Sequence, residues 1–401
     1  MANGRVLVVN AGSSSLKYEV FDVSSGMSTD AGSLSGVGGR ARHRHRGRGG
    51  DLDEVLDCPG YAEAFAAASA ALGSTASGGT ESPLVAVGHR VVHGGSRFTR
   101  PVLVDDDVLG ALEELGPLAP LHNPANTEGI RRARETFPDV PQVAVFDTAF
   151  HASIPPEAHT YAVPEEWRRV HSVRRYGFHG TSFAYVSRRV ATLIGRESAE
   201  VNSVILHLGN GASACAVLGG RSVDTSMGLT PVEGLVMGTR SGDVDPALGG
   251  YLSRVAGISA TDYDHALTRA SGLLGLGGVS DFRELTTRRA DGDPAATLAF
   301  DVTVHRLVKY VGAYAAVLGR VDVLAFTGGI GENSPVLRAA VLERLRILGV
   351  GLDATANAAG PPERRVSTSE SRVPAWVVPT DEESQIARAT LDLLGIEHAL
   401  R

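Results

Sequence analysis

Hydrophobic and polar positions along this chain fall into short strand-like runs separated by helical stretches. Arg5–Asn10 (RVLVVN) is a β-branched apolar run, and Lys17–Asp22 (KYEVFD) mixes apolar with polar positions at a period near two. Each predicts a strand, and Gly12 with three serines between them predicts the turn of a hairpin. Tyr61–Leu72 is alanine-rich and predicts a helix, followed by a Gly/Ser/Thr linker and a strand over Val85–Val92. From Asn202 the stretch "VNSVILHLGNGASACAVLGG" repeats the opening plan: apolar strand, turn with Gly and Ser, second strand. This self-similarity suggests a duplicated domain with one glycine hairpin per half. Val321–Phe326 predicts a strand entering "TGGIGENS", Pro335–Leu348 a helix rich in Leu and Arg, and Glu383–Leu394 an amphipathic helix. Strands alternating with helices mean α/β layers. Ser35–Asp51 (SGVGGRARHRHRGRGGD) shows no apolar periodicity and is expected to be a mobile basic surface loop.

Composition narrows the class without naming a chemistry. At 401 residues, 43% hydrophobic and 21% charged, the chain is an ordinary globular protein of two to three domains. A formal net charge of −7 argues against nucleic acid as a partner. Two cysteines give no disulfide framework, and no stretch approaches a membrane span or a signal peptide, so the cytoplasm is expected. Lys17 and Lys309 are the only lysines among 38 basic residues. Lys17 lies inside the glycine-serine turn, where a compact ammonium suits phosphate oxygens.

Glycine loops end three strands, at 12–15, 209–213 and 328–331. Backbone N–H groups in such turns form an anion cradle, and serine hydroxyls add donors. None of them matches a P-loop or a dinucleotide fingerprint. Two hairpins facing each other across a cleft would hold a polyphosphate from both sides. Further segments concentrate Arg, His and Asp beside Gly and Pro: "GHRVVHGG", "LAPLHNPAN", "VFDTAFHASIP", "RRYGFHGTS", "MGLTPVEGLVMGTRSGDVDPA" and "PTDEESQIA". Phosphoryl transfer asks for such cations, because charge on the moving group must be neutralised.

The set "NAGSSSLKY", "VFDTAFH", "RRYGFHGTS", "HLGNGAS", "TRSGD" and "FTGGIGENS", in this order, resembles the acetate kinase family. The resemblance implies two duplicated actin-like (ribonuclease H-like) domains with a cleft between them. Residues 1–150, closed by a helix over 384–401, would form the first, and 151–383 the nucleotide-binding second. It implies a homodimer and reversible phosphorylation of acetate by ATP to acetyl phosphate and ADP, with Mg²⁺ (or Mn²⁺) and direct in-line transfer. By motif, Asn10 and Glu382 resemble the metal-positioning residues, with Asp381 and Glu383 as competing ligands. Lys17 resembles the lysine near the nucleotide phosphates. Arg90, Asp147, His179 and Arg240 resemble the residues at the reacting centre, Arg90 also holding the substrate carboxylate. His207, Leu208, Gly209, Asn210 and Gly211, then Asp281, Phe282 and Arg283, then Gly328, Gly329, Ile330, Gly331 and Glu332 resemble the nucleotide-binding segments. Val92, Leu121, Phe178 and Pro231 resemble the pocket for the methyl group, whereas His89, His93 and His122 are expected to be structural or orienting.

The residues allow these roles on their own chemistry. Arginine forks can bridge carboxylate and phosphoryl oxygens, and an acetate carboxylate is already ionised at pH 7, so Asp147 need not act as a base. Two positions depart from the family pattern: Phe183 stands where a histidine is usual, and Asp381 where asparagine is commoner. Propionate kinase is the nearest rival, since one methylene changes discrimination by only about 1–3 kcal/mol.

Overall fold

The computed structural model describes residues 3–73 and 82–400; most of the predicted Gly/Ser/Thr linker lies outside the described residues. The chain divides into two compact units, Met1–Phe150 with Asp381–Arg401, and His151–Thr380. Among the described residues fourteen strands form two sheets. In the first unit these are β1 (Arg5–Gly12), β2 (Ser15–Asp22), β3 (Ser28–Ser35), β4 (Gly39–Gly47), β5 (Leu52–Cys58), β6 (Leu84–Val91), β7 (Val102–Leu103) and β8 (Gln142–Phe146). The second unit holds β9 (Asn202–Leu208), β10 (Ala212–Leu218), β11 (Arg221–Thr225), β12 (Val323–Thr327), β13 (Arg364–Arg365) and β14 (Ala375–Val377).

The sheet orders are β5-β4-β3-β2-β1-β6-β8-β7 and β11-β10-β9-β12-β14-β13. Within them, β3-β2-β1-β6-β8 and β11-β10-β9-β12-β14 share one plan. Two antiparallel pairings flank the first strand on one side, and two parallel pairings continue on the other. Two units of this plan are duplicated actin-like domains.

Each face of the first sheet buries a different half of the apolar run in β1. Leu7 and Val9 pack with Phe65, Ala68 and Ala133 of the helices Tyr61–Ala71 and Asn123–Thr136, and with Phe137, which caps the second. Val6 and Val8 pack on the opposite face with Ile386, Ala387 and Leu391 of the helix Glu382–Leu394. Burial on both faces explains why β1 reads as a continuous apolar run. Gly88 permits the close approach of that last helix, because a Cβ there would sit 3.0 Å from the Ile386 side chain.

The basic stretch expected to be a loop is strand β4, a correction to the sequence analysis. Ala41, His43 and His45 point inward and Arg40, Arg42, Arg44 and Arg46 outward, so the period is two. Histidine was not counted as an inward residue, which hid the alternation. Inside, the Tyr18 hydroxyl lies 2.9 Å from His43 Nε2 and 3.0 Å from His45 Nδ1. Burial holds the His43 imidazole below the usual range, against the pull of Glu54. Outside, Arg42 pairs with Asp53 of β5 at 2.7 Å.

Candidate functional site

Each unit brings together part of the predicted set. In the first, the β1–β2 register pairs Asn10 with Lys17, so both side chains leave the same face beside the turn. Lys17 lines an open groove of about 620 Å³ with Ser33, Arg44, Arg46 and Glu383. The turn is tied down by the Tyr61 hydroxyl, which donates to the Gly12 carbonyl, and by Ser14, whose carbonyl accepts from Gly36 and Val37. Asn126 of "LHNPAN" donates to the Ala11 carbonyl at 2.6 Å and accepts from the Val92 amide at 3.0 Å. Asn126 thus joins two strand ends, a role that its place in the segment does not reveal from sequence.

Three predicted site residues converge where β6 and β8 run parallel. Arg90 donates through Nε (3.0 Å) and Nη2 (2.8 Å) to the two carboxylate oxygens of Asp147, and Nη2 lies 3.6 Å from Glu382. The Asp147 side chain is only 2% exposed. Burial opposes charge on Arg90, but Asp147 and Glu382 outweigh it and hold the guanidinium firmly protonated. Asp381 accepts from the Ser384 amide at 2.9 Å and caps the last helix; burial raises its carboxyl above the ordinary range. His89 is buried, bonded to Gln142 at 2.8 Å and pushed down to about 4 by burial, so it is a neutral structural group. His93 accepts from the Gly95 amide at 2.9 Å. Val92 is half-buried and Leu121 is 51% exposed.

In the second unit His179 adopts φ 57°, a left-handed conformation uncommon outside glycine, at the start of the helix Gly180–Leu193. Its Nδ1 lies 2.8 Å from the Ser213 hydroxyl, and its ring stacks on His207 at 4.2 Å between centroids. Arg240 donates from Nη1 to the Pro231 carbonyl at 3.0 Å and has no carboxylate partner among the described residues. Burial and nearby Arg269 lower its affinity for the proton. A Cβ built on Gly211 would meet Arg240 Nη1 at 3.5 Å and His179 Nε2 at 3.6 Å. The Arg240 guanidinium and the His179 imidazole thus both face the glycine turn of the β9–β10 hairpin.

The nucleotide-like segments also assemble. Leu208, Gly209, Phe282 and Ile330 line one apolar slot with Leu235 and Met237. Asp281 accepts from the amides of Arg283 and Glu284 and pairs with the Arg283 guanidinium at 2.9 Å. The Arg283 contact first, then the two amides, hold its carboxyl down to about 2. The glycine loop expected at 328–331 is instead the first turn of a short helix, Gly328–Asn333, and Glu332 accepts from the Gly328 amide at 2.9 Å across that turn. Behind that helix the fully buried Arg338 donates to the carbonyls of Gly331 (2.8 Å) and Glu332 (2.9 Å), a support not legible in the sequence. Phe178 is buried and Pro231 half-buried. Phe183 is fully buried, its ring edge-on to His151 at 5.6 Å and to His207 at 6.4 Å.

Asn10 and Glu382 offer only hard oxygen donors, which suits Mg²⁺. No cluster of three or more His, Cys, Asp or Glu able to hold a metal occurs among the described residues.

The Acetokinase family model matches residues 5–388. The acetate kinase of Leifsonia xyli subsp. xyli is 55% identical over 392 residues, covering 97% of this chain and 99% of that protein. The acetate kinase of Streptomyces avermitilis is 52% identical, with full coverage of both chains. Among solved structures, Porphyromonas gingivalis acetate kinase superposes with a TM-score of 0.89 at 39% identity, over 98% of this chain and 100% of that one. A propionate kinase from Francisella tularensis gives 0.89 at 38% identity, over 97% and 99%.

Proposed function

The chain belongs to the acetokinase family, and from that premise we propose that it is an acetate kinase, transferring the γ-phosphoryl group of ATP to acetate. The observation that carries the chemistry is Arg240, an arginine without a carboxylate partner among the described residues. With His179 it faces an open glycine turn. Such donors wait for an anion that arrives with the substrate.

In the transfer, an oxygen of the acetate carboxylate bonds to the γ-phosphorus as the bond to the ADP oxygen breaks. No proton need leave the acceptor, because its carboxyl is ionised at neutral pH. Asp147, locked to Arg90 through two bonds and shielded from water, therefore orients the guanidinium that receives acetate. Arg240 and His179 offset charge on the phosphoryl oxygens, and Lys17 serves the nucleotide phosphates. The segments 207–211, 281–283 and 328–332 are proposed to hold the nucleotide. Asn10 and Glu382 would hold Mg²⁺, which when bound neutralises phosphate charge. Val92, Leu121, Phe178 and Pro231 are proposed to surround the methyl group. The same reading gives a cytoplasmic homodimer; no helix among the described residues is long and apolar enough to cross a membrane.

Propionate kinase remains the second reading, favoured by the equal structural likeness to one. Hydroxylamine trapping of the acyl phosphate with acetate, propionate and butyrate decides between them. We expect kcat/KM for acetate to exceed that for propionate by roughly tenfold or more, the worth of one methylene in a shaped pocket. A preference for propionate would move the assignment to that acid, and no hydroxamate with any acid would end the kinase reading.

A further inference from the structure

We propose that Thr380 and Ser182 are positioning residues that fix the tautomer of His207, so that its Nε2 carries the proton. The inference rests on reading His207 as part of the nucleotide site and says which way that ring serves it. Thr380 Oγ1 donates to Ser182 Oγ at 2.7 Å, and Ser182 Oγ lies 2.8 Å from His207 Nδ1. Ser182 is fully buried and makes no third side-chain bond among the described residues. Its own proton therefore has one acceptor in reach, the lone pair of Nδ1. A neutral imidazole that accepts at Nδ1 donates at Nε2. Phosphate oxygens then meet an N–H on this ring instead of a repelling lone pair.

The donor end of this relay is itself held by the nucleotide segment. The Thr380 amide donates to Glu332 Oε1 at 3.2 Å, the oxygen that also takes the Gly328 amide. One residue thus joins the short helix Gly328–Asn333 to His207, and His207 stacks on His179. Thr380 is also the last residue of its unit, directly before Asp381 and Glu382 in sequence. A shift of that helix would reach the imidazole pair through Glu332, Thr380 and Ser182.

The test combines ¹⁵N-histidine spectra with steady-state kinetics on the full chain, His207 being assigned from a His207→Gln spectrum. In the parent, His207 should show protonated Nε2 and unprotonated Nδ1. Thr380→Val keeps the shape and removes the donor. Ser182 can then accept from Nδ1–H, so the spectrum should shift towards a mixture of tautomers. Loss of one positioning hydrogen bond should lower kcat roughly tenfold and leave KM for acetate within about twofold. Thr380→Ser should restore both readouts. A protonated Nδ1 in the parent, or an unchanged spectrum in Thr380→Val, overturns the proposal. Should Thr380→Val fail to fold, Ser182→Ala carries the same expectation without added bulk, and an unchanged His207 signal there overturns it equally. A merely structural role would lower the melting temperature without moving the tautomer. If the parent makes no acyl phosphate, the functional reading fails, and the spectra still decide the tautomer.

Discussion

Arg90 donates two bonds to a buried carboxylate and lies near a second, whereas Arg240 is met, among the described residues, by a carbonyl and a thioether. Removing them should have different consequences. Arg90→Ala strands Asp147 in a buried place without its counter-charge, a change that typically costs several kcal/mol of stability. Arg240→Ala leaves no carboxylate uncompensated. We expect both to lower kcat about 10²-fold or more, with the thermal midpoint falling for Arg90→Ala and holding within a few degrees for Arg240→Ala. Activity assays beside melting curves check this; unchanged kcat in Arg240→Ala would remove it from the reaction. At this scale the motifs made Arg90, Asp147, His179 and Arg240 visible in the sequence, because such residues are unusual among glycines. Ser182, Thr380 and Asn126 were not visible as supports. A buried serine or asparagine, or a half-buried threonine, looks like any surface one until its partners, up to 198 positions away, are known.

The glycine hairpins were legible because turn chemistry and apolar strands are local signals, and the structure places both within two residues of the expected ends. Strand β4 escaped because its inward positions are Ala41, His43 and His45, two of them imidazoles that polarity scales count as surface. What makes them core residues is the Tyr18 hydroxyl supplied by β2, a contact between strands that no local window contains. Tyr18→Phe would leave two buried imidazole nitrogens without that partner. We expect a loss of about 1–3 kcal/mol in urea unfolding, the usual cost of orphaned buried polar groups. Arg42→Ala, on the exposed side of the same strand, should leave the midpoint unchanged. Equal stability of Tyr18→Phe and the parent would show that the cluster contributes nothing.

At the scale of the whole molecule each unit buries a histidine that burial pushes down to about 4, His89 in the first and His151 in the second. Unfolded histidine titrates near 6.5, so below that pH the unfolded chain binds protons that the folded chain refuses. Stability is then full above about pH 6.5 and is lost as pH falls towards 4, by up to about 3 kcal/mol for each ring. Melting temperatures between pH 7 and 4.5 should show this decline, and His89→Gln should flatten it; a slope identical to the parent's would remove His89 as a contributor. The duplication was legible at this scale from two matching hairpins. The shared five-strand order was not, since strand neighbours such as β9 and β12 are separated by more than a hundred residues.

One feature bears on how the protein is made. The helix Glu382–Leu394 supplies Ile386, Ala387 and Leu391 to a face of the first sheet. A ribosome must translate residues 151–380 before that helix exists, roughly 10–50 s at ordinary elongation rates. For that interval the domain begun first waits with Val6, Val8, Val143 and Val145 uncovered, and the domain begun second has its whole sequence before the first does. Completion therefore runs opposite to synthesis, and the nascent chain's stickiest surface belongs to its oldest part.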